Sequence, residues 1–203
     1  MSKYYIIGTG GHASVIVDIL KSNNIEIEGF FDDYDSDSKY GYPIIGKIAD
    51  AVAYCNSSNF IIAVGDNQAR RIISNKLEGL NFNTALHTSV VIGSNILLGS
   101  GTVLFPNVVV NAGTIIGKHV IINSGAVVEH DCIIGNYVHV SPRAVLCGGV
   151  QVADNTWIGA GAVIIPKIKI GRNVIVGAGA VVIRDIPDGM TVIGVPSHKR
   201  SSS

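Results

Sequence analysis

A small α/β unit followed by an all-β solenoid is the fold class that this sequence of 203 residues predicts, and three observations carry it. From Val90 the chain divides into sixteen consecutive hexapeptides, from VVIGSN, ILLGSG and TVLFPN through to AVVIRD, whose third place is always Ile, Leu or Val. Every glycine between Val90 and Asp185 falls at places four to six. The residues before Asn81 lack this period and alternate apolar runs with helical patterns.

No helix repeats in a strict six. On a strand, places one and three point to the same side and fill an interior while place two faces out. Places four to six hold residues that tolerate a sharp bend. Short strand, corner, short strand is a β-solenoid, and three strands per coil would stack residues eighteen apart at about 4.8 Å. The period leaves the winding direction open, because a left-handed parallel connection breaks the usual crossover rule.

In the first part, Tyr4 to Ile7 reads as a buried strand, Gly8 to Ala13 as a tight turn and Ser14 to Ser22 as a helix. Further strands are expected at Ile27 to Phe31 and Phe60 to Val64, with a helix near Asn67 to Leu77. This is a small Rossmann-like βαβ unit with its strand ends available to a ligand. Asn81 to Ser89 joins the parts, which places the divisions at 1–81 and 82–203, and Ser201 to Ser203 is expected to fray.

Fifteen basic residues balance fifteen acidic ones, so bulk charge invites neither nucleic acid nor an anionic membrane. Cys55, Cys132 and Cys147 lack metal-site spacing, and no secretory leader precedes Lys3, which together favour a reducing cytoplasm. Thr88 to Gly117 carries no charge, but Gly, Ser and Asn interrupt it with the solenoid period, so no membrane span is expected.

Two constellations could carry chemistry. After the first strand, the glycine-rich turn with Gly10, Gly11 and His12 lets backbone amides approach a phosphate, and Asp32 and Asp33 close the second strand at the distance suited to a ribose or base. Gly65 ends the third strand and invites the same close approach; at all of these a simple packing role stays open. On the solenoid, His130 and Asp131 occupy a corner, and the residues stacked eighteen later are Gly148 and Gly149. That leaves room for a general base beside a bare amide able to steady an oxyanion. His139 faces out from a flat side with Trp157 stacked on it, half a coil from His130, so one prism cannot unite the two histidines and an adjoining subunit must bring the second. Glu129 reads as a further carboxylate near the corner or as a solvated one, and His119 occupies a neighbouring corner at a spacing that does not gather a metal site.

The Val-Glu-His-Asp-Cys-Ile-Ile-Gly run, the following His139-Val-Ser, the hexapeptides, the ending Gly194-Val195-Pro196 and the opening Gly-Thr-Gly-Gly-His with Asp32-Asp33 together resemble a known family. It is the bacterial sugar O-acyltransferases and sugar-nucleotide N-acetyltransferases of the sialic-acid O-acetyltransferase type, nearest to those acting on UDP-4-amino sugars for surface glycans. The resemblance covers nearly the whole chain. It implies a left-handed parallel β-helix, a homotrimer, acetyl-CoA bound between adjacent β-helices, and a nucleotide sugar held by the first domain. By motif, His130 resembles the catalytic base and Asp131 its supporting carboxylate, where the compared UDP-sugar enzymes have Glu. His139 resembles an acetyl-CoA contact, and the main chain at Ala160 and Ala178 falls where the cofactor would run. Gly10, Gly11, His12, Asp32, Asp33 and Gly65 match nucleotide-sugar contacts, with Asn123 and Ser124 beside the sugar. The ending GVPSHKR departs from the usual Gly-Val-Pro-Ala-Lys.

The expected activity is direct acetyl transfer from acetyl-CoA to a nucleotide-linked amino sugar, with His130 as general base, an amide near Gly148 at the oxyanion, and no metal. The same histidine would serve a hydroxyl acceptor, so a sugar O-acetyltransferase remains the alternative. A zinc-dependent hydratase like the γ-class carbonic anhydrases and a non-catalytic nucleotide-sugar sensor are the readings from other classes.

Overall fold

The structure, a computed structural model, describes residues 3–34, 37–55 and 58–200; the Ser201 to Ser203 tail lies outside the described residues. Its first part is a five-stranded sheet built from β1 (Lys3–Ile7), β2 (Ile27–Phe31), β3 (Ser38–Lys39), β4 (Tyr42–Gly46) and β5 (Ser58–Ile62), in the order β3-β4-β2-β1-β5. All neighbours are parallel except the β3–β4 hairpin. Helices α1 (Gly11–Ser22) and α2 (Asn67–Lys76) follow β1 and β5, and a 3-10 helix spans Ile48–Tyr54. Alternation along β1 sends Ile6 into the core shared with Ile16, Ile19 and Leu20 of α1, and sends Tyr5 and Ile7 to a second core with Phe31, Phe60 and Ile62.

Two local expectations are corrected. The helix begins at Gly11 rather than Ser14, because Gly10 acts as N-cap and its carbonyl already accepts from Ala13 N–H at 2.9 Å. The last strand begins at Ser58 rather than Phe60, because its register is dictated by pairing with β1, Lys3 with Ser58 through Ile7 with Ile62. The hairpin β3–β4 and the 3-10 helix were not legible as elements: a two-residue strand and a short, mostly apolar run, IADAVAY, carry no decisive period.

Beyond the linker, two-residue strands wind into a parallel β-helix with three flat faces, joined coil to coil at a spacing of eighteen residues, Val109 on Val127 and Ile121 on His139. The first face carries Val91, Val109, Val127, Val145, Val163 and Val181 at the outward place, the second Leu97, Ile115, Ile133, Gln151 and Lys169, the third Val103, Ile121, His139, Trp157 and Ile175. The winding is left-handed, as expected, and its corners explain the six-residue period. From Asn95 to Gly179 the sixth place is left-handed without exception, glycine in some coils and Asn, Asp, His, Tyr, Arg or Lys in others. Interior threonines are satisfied by carbonyls of the next coil, as with Thr102 Oγ1 to Gly117 O at 2.7 Å and Thr114 Oγ1 to Glu129 O at 2.9 Å.

The two parts share one core. Helix α1 packs beside the first solenoid strand, Ala85–Leu86, and Asn23 Nδ2 donates to Leu86 O at 2.7 Å. Phe105 and Ile121 of the third face are buried beneath this unit, while Trp157 and Ile175 further along stay open. The turn after β5 therefore faces the third face at His139. Among the described residues, no helix is long and apolar enough to cross a membrane.

Candidate active site

His130 and Asp131 stand at the corner between the first and second faces. Asp131 takes the left-handed conformation, φ 59°, tolerable for Asp, and this turns its carboxylate back so that Oδ2 lies 2.9 Å from His130 Nδ1. Its other oxygen rests over Gly113, eighteen residues earlier, where a Cβ would stand 2.6 Å from Oδ1. With Nδ1 on the carboxylate, Nε2 of His130 is the atom left to exchange a proton. It lies directly over Gly148: a Cβ there would be 2.6 Å from Nε2. Gly149 N–H donates to His130 O at 2.9 Å, whereas Gly148 N–H has no backbone acceptor among the described residues and remains available. A proton acceptor and an uncommitted amide thus sit side by side on an exposed edge, the arrangement acyl transfer needs. Substituting Gly148 by alanine is expected to lower turnover by about 100-fold, by displacing the imidazole, while leaving the melting temperature within a degree or two of wild type. Steady-state kinetics and a thermal melt check this; wild-type turnover would separate His130 from the chemistry.

The thiols do not compete for the nucleophile's role. Cys132 is buried, its Sγ lies 3.3 Å from Cys147 O, and burial pushes its pKa up to about 11.

A second constellation lies on the third face, beneath the α/β unit. The His139 ring stacks on Trp157 with centroids 6.0 Å apart, and Trp157 Nε1–H donates to Ser141 Oγ at 2.7 Å. Asn123 is fully engaged inside the chain: its Oδ1 accepts from Ser124 N–H at 2.8 Å and its Nδ2 lies 3.1 Å from His139 Nε2. His12 stacks on Phe105 at 4.8 Å and meets His139 edge-on at 6.4 Å, its Nε2 buried with no partner among the described residues. Burial first, and then neighbouring groups, the His139 ring and Arg70 for His12 and Arg70 for His139, lower the pKa of both rings to about 4, so both are neutral at pH 7. Gly65, Asn67, His139, Trp157 and Ile175 line a groove of about 460 Å³ that runs from the β5–α2 turn along this face. Ala160 and Ala178 stack at the corner between the third and first faces, with Gly179 N–H donating to Ala160 O at 2.8 Å.

The glycine-rich turn is held from below. Asp32 Oδ2 accepts from Thr9 N–H at 2.9 Å and lies 2.8 Å from Thr9 Oγ1, and the Tyr40 hydroxyl lies 3.2 and 3.0 Å from the carbonyls of Thr9 and Gly10. Asp33 Oδ1 accepts from Ile48 N–H at 3.0 Å. Gly10, Gly11 and Gly65 differ from the other turn glycines: a Cβ at any of them would meet nothing within 4 Å, and none has a left-handed φ. Packing does not require glycine there; a ligand approaching the backbone closely would.

Within one chain, then, His12, Gly65, Asn123 and His139 come together, and His130, Asp131 and Gly148 come together on the opposite side of the prism. His119 joins neither group, being buried at the remaining corner, stacked on Tyr137 at 5.4 Å and against Phe82. Sequence reading missed Gly113 and Tyr40, and above all Arg70; Gly113 was available from the same eighteen-residue spacing counted backwards from Asp131.

Fold and corner define a hexapeptide-repeat acyltransferase. Family models agree: residues 3–77 match the PglD N-terminal domain, and residues 113–148 and 149–184 match the bacterial transferase hexapeptide of six repeats. The acetyltransferase domain of PglB from Neisseria gonorrhoeae FA1090 is similar at 34% identity, covering 98% of this chain and 100% of that one with a TM-score of 0.93. PerB from Caulobacter crescentus, solved in complex with CoA and GDP-perosamine, is similar at 36% identity, covering 99% of this chain and 98% of that one with a TM-score of 0.93. A curated protein of Acanthamoeba polyphaga mimivirus, L142, is 38% identical over 98 residues, 48% of this chain; the chain spans 20% of that relative's length. The chain belongs to the sugar N-acetyltransferases that join a PglD-type N-terminal domain to hexapeptide repeats, and as such it is an acetyl-CoA-dependent acyltransferase.

Proposed function

We propose that this chain transfers the acetyl group of acetyl-CoA to the amine of a nucleotide-linked 4-amino-4,6-dideoxy sugar destined for a surface glycan. Residues 1–81 hold the nucleotide sugar at Gly10, Gly11, His12 and Gly65, with Asp32 and Asp33 shaping the turn, and residues 82–203 carry the transfer. The amine lone pair attacks the thioester carbonyl, and the resulting oxyanion is met by Gly148 N–H. His130 Nε2 takes the amine proton while Asp131 steadies the imidazolium. Collapse of the tetrahedral intermediate expels the CoA sulfur, which the imidazolium protonates. The observation that carries this reading is the His130–Asp131 pair at 2.9 Å with Nε2 poised over a side-chain-free Gly148.

His139, Asn123 and the groove lie on the far side of the prism from His130, so a complete site takes a second copy of the chain, arranged as a homotrimer. Apolar side chains on both faces that meet at the His130 corner support this: the outward valines of the first face, and Ile115 and Ile133 of the second, 44% and 47% exposed. In that assembly His130 of one copy faces His139, Ala160 and Ala178 of the next, where acetyl-CoA lies. Activated sugars and acetyl-CoA place the reaction in the cytoplasm.

Thiol release from acetyl-CoA, with UDP- and GDP-linked 4-amino-6-deoxy sugars as acceptors and product mass read directly, tests the reading. The expected product is heavier by one acetyl group and stable to alkali, as an amide is. An alkali-labile ester would assign the O-acetyltransferase alternative, and absence of thiol release with every acceptor would leave the chain a nucleotide-sugar binder. The hydratase alternative needs three histidines converging across a subunit boundary, since His119, His130 and His139 occupy three different positions around one prism; bound zinc and a rate lost in chelator would assign it.

A further inference from the structure

Arg70 lies on the buried side of α2, with 1% of its surface exposed. Its five N–H groups make five hydrogen bonds. Nε donates to His119 O at 2.8 Å, Nη1 to Val64 O at 3.0 Å and Gly65 O at 3.1 Å, and Nη2 to Asn67 Oδ1 at 3.0 Å and Tyr137 O at 3.0 Å. Three acceptors belong to the β5–α2 turn of the α/β unit. The other two are carbonyls of left-handed corners, His119 at φ 53° and Tyr137 at φ 58°, one coil apart on the solenoid. Among the described residues, no carboxylate accepts from the guanidinium. A planar fork of five donors spans this set; an ammonium with three cannot.

The second observation concerns His139. Because Ser124 N–H donates to Asn123 Oδ1, the Asn123 amide is oriented with its NH₂ end toward His139, and Nε2 of that ring is the acceptor. The proton of the neutral imidazole therefore resides on Nδ1. Gly65 and this ring line the same groove, and Gly65 O is one of the two carbonyls that Arg70 Nη1 holds.

We propose that Arg70 is a positioning residue for the transfer reaction: it ties the β5–α2 turn to two solenoid corners and thereby sets the placement of the Gly65 backbone in the groove that it shares with His139. The inference rests on the acetyltransferase reading of the site, since its kinetic consequence is a loss of acceptor and acetyl-CoA alignment. A clamp that merely joined the two parts would change stability alone. A positioning residue changes the groove in a chain that remains folded.

The test uses the full chain with ¹⁵N-labelled histidine. Long-range proton–nitrogen spectra of the wild type are expected to show His139 protonated at Nδ1, as the Asn123 amide dictates, and supply the reference for the variants. In Arg70→Lys, still folded by circular dichroism, the His139 nitrogen signals are expected to shift as the Gly65 side of the groove moves, and kcat/KM for the nucleotide sugar to fall about tenfold or more. A folded R70K with wild-type His139 signals and wild-type kinetics overturns the proposal. If R70K does not fold, Asn67→Ala replaces it, removing one acceptor of Nη2; a perturbed His139 and a KM raised about threefold support the assignment, and no change in either sinks it. A wild-type chain inactive on every nucleotide sugar would count against the transferase reading, while the His139 spectrum would still decide the role of Arg70, so the two failures are distinguishable.

Discussion

Replacement of His130 by alanine lowers the rate of acetyl transfer by about 10²- to 10⁴-fold, the range a lost general base produces, and leaves folding and assembly intact. The two halves of this expectation come from different features of the same corner. The imidazole and its carboxylate partner are 63% and 73% exposed, so their removal opens no cavity and strands no buried polar group. The chemical loss is large because the ring is the one proton acceptor adjacent to the Gly148 amide, and the incoming amine must shed a proton as the C–N bond forms. Asp131→Asn separates orientation from basicity: the amide still contacts Nδ1 but no longer stabilises the imidazolium, and a smaller loss than in His130→Ala is expected. Single-turnover measurement of thiol release, alongside a thermal melt and light scattering, reads all three quantities. Turnover near that of wild type in His130→Ala would transfer the base's role elsewhere.

The second large effect is on stability in mild acid. His12, His119 and His139 are held neutral in the fold, each with its pKa lowered to about 4, chiefly by burial and secondarily by neighbouring groups, Arg70 among them. In the unfolded chain each ring returns to its ordinary value near ~6.5. Below that pH the unfolded state binds protons that the folded state refuses, so the rings' contribution is fully present above about 6.5 and is lost as pH falls toward 4. On linkage arithmetic the loss reaches on the order of 3 kcal/mol per ring, a large share of the ~5–15 kcal/mol that a domain commands. Urea denaturation at a series of pH values is expected to show midpoints falling steeply across this window. His119→Phe, which keeps an aromatic ring against Tyr137 and Phe82, is expected to reduce the slope by about one proton. Stability flat from pH 7 to 4 would mean that the three rings are hydrated.

The His130 corner was legible because a solenoid converts sequence spacing into spatial stacking. Once the hexapeptides are counted, Gly148 over His130 and Trp157 over His139 follow from adding eighteen, and the structure pairs His139 with Trp157 in that register. The same rule fails for Arg70. Its partners His119 and Tyr137 lie 49 and 67 residues away, and both accept through backbone carbonyls, which every residue possesses. An arginine on the helix expected near Asn67 to Leu77 gives no sign that it will be inserted between two parts of a chain. The turn motif singled out His12, but its stacking on Phe105 beside His139 came only from the seating of the α/β unit on the solenoid.

The sequence by itself determined the triangular coil, the residues that fill it, and the pairing of an imidazole with a neighbouring acid above a glycine, because each depends on a local period or on adjacent positions. Only the tertiary structure decided how the α/β unit seats on the third face, which histidines lose their contact with water, and where a buried guanidinium links the two parts. Those outcomes depend on complementary surfaces far apart along the chain, and the free energy that selects them comes from contacts that no periodicity records.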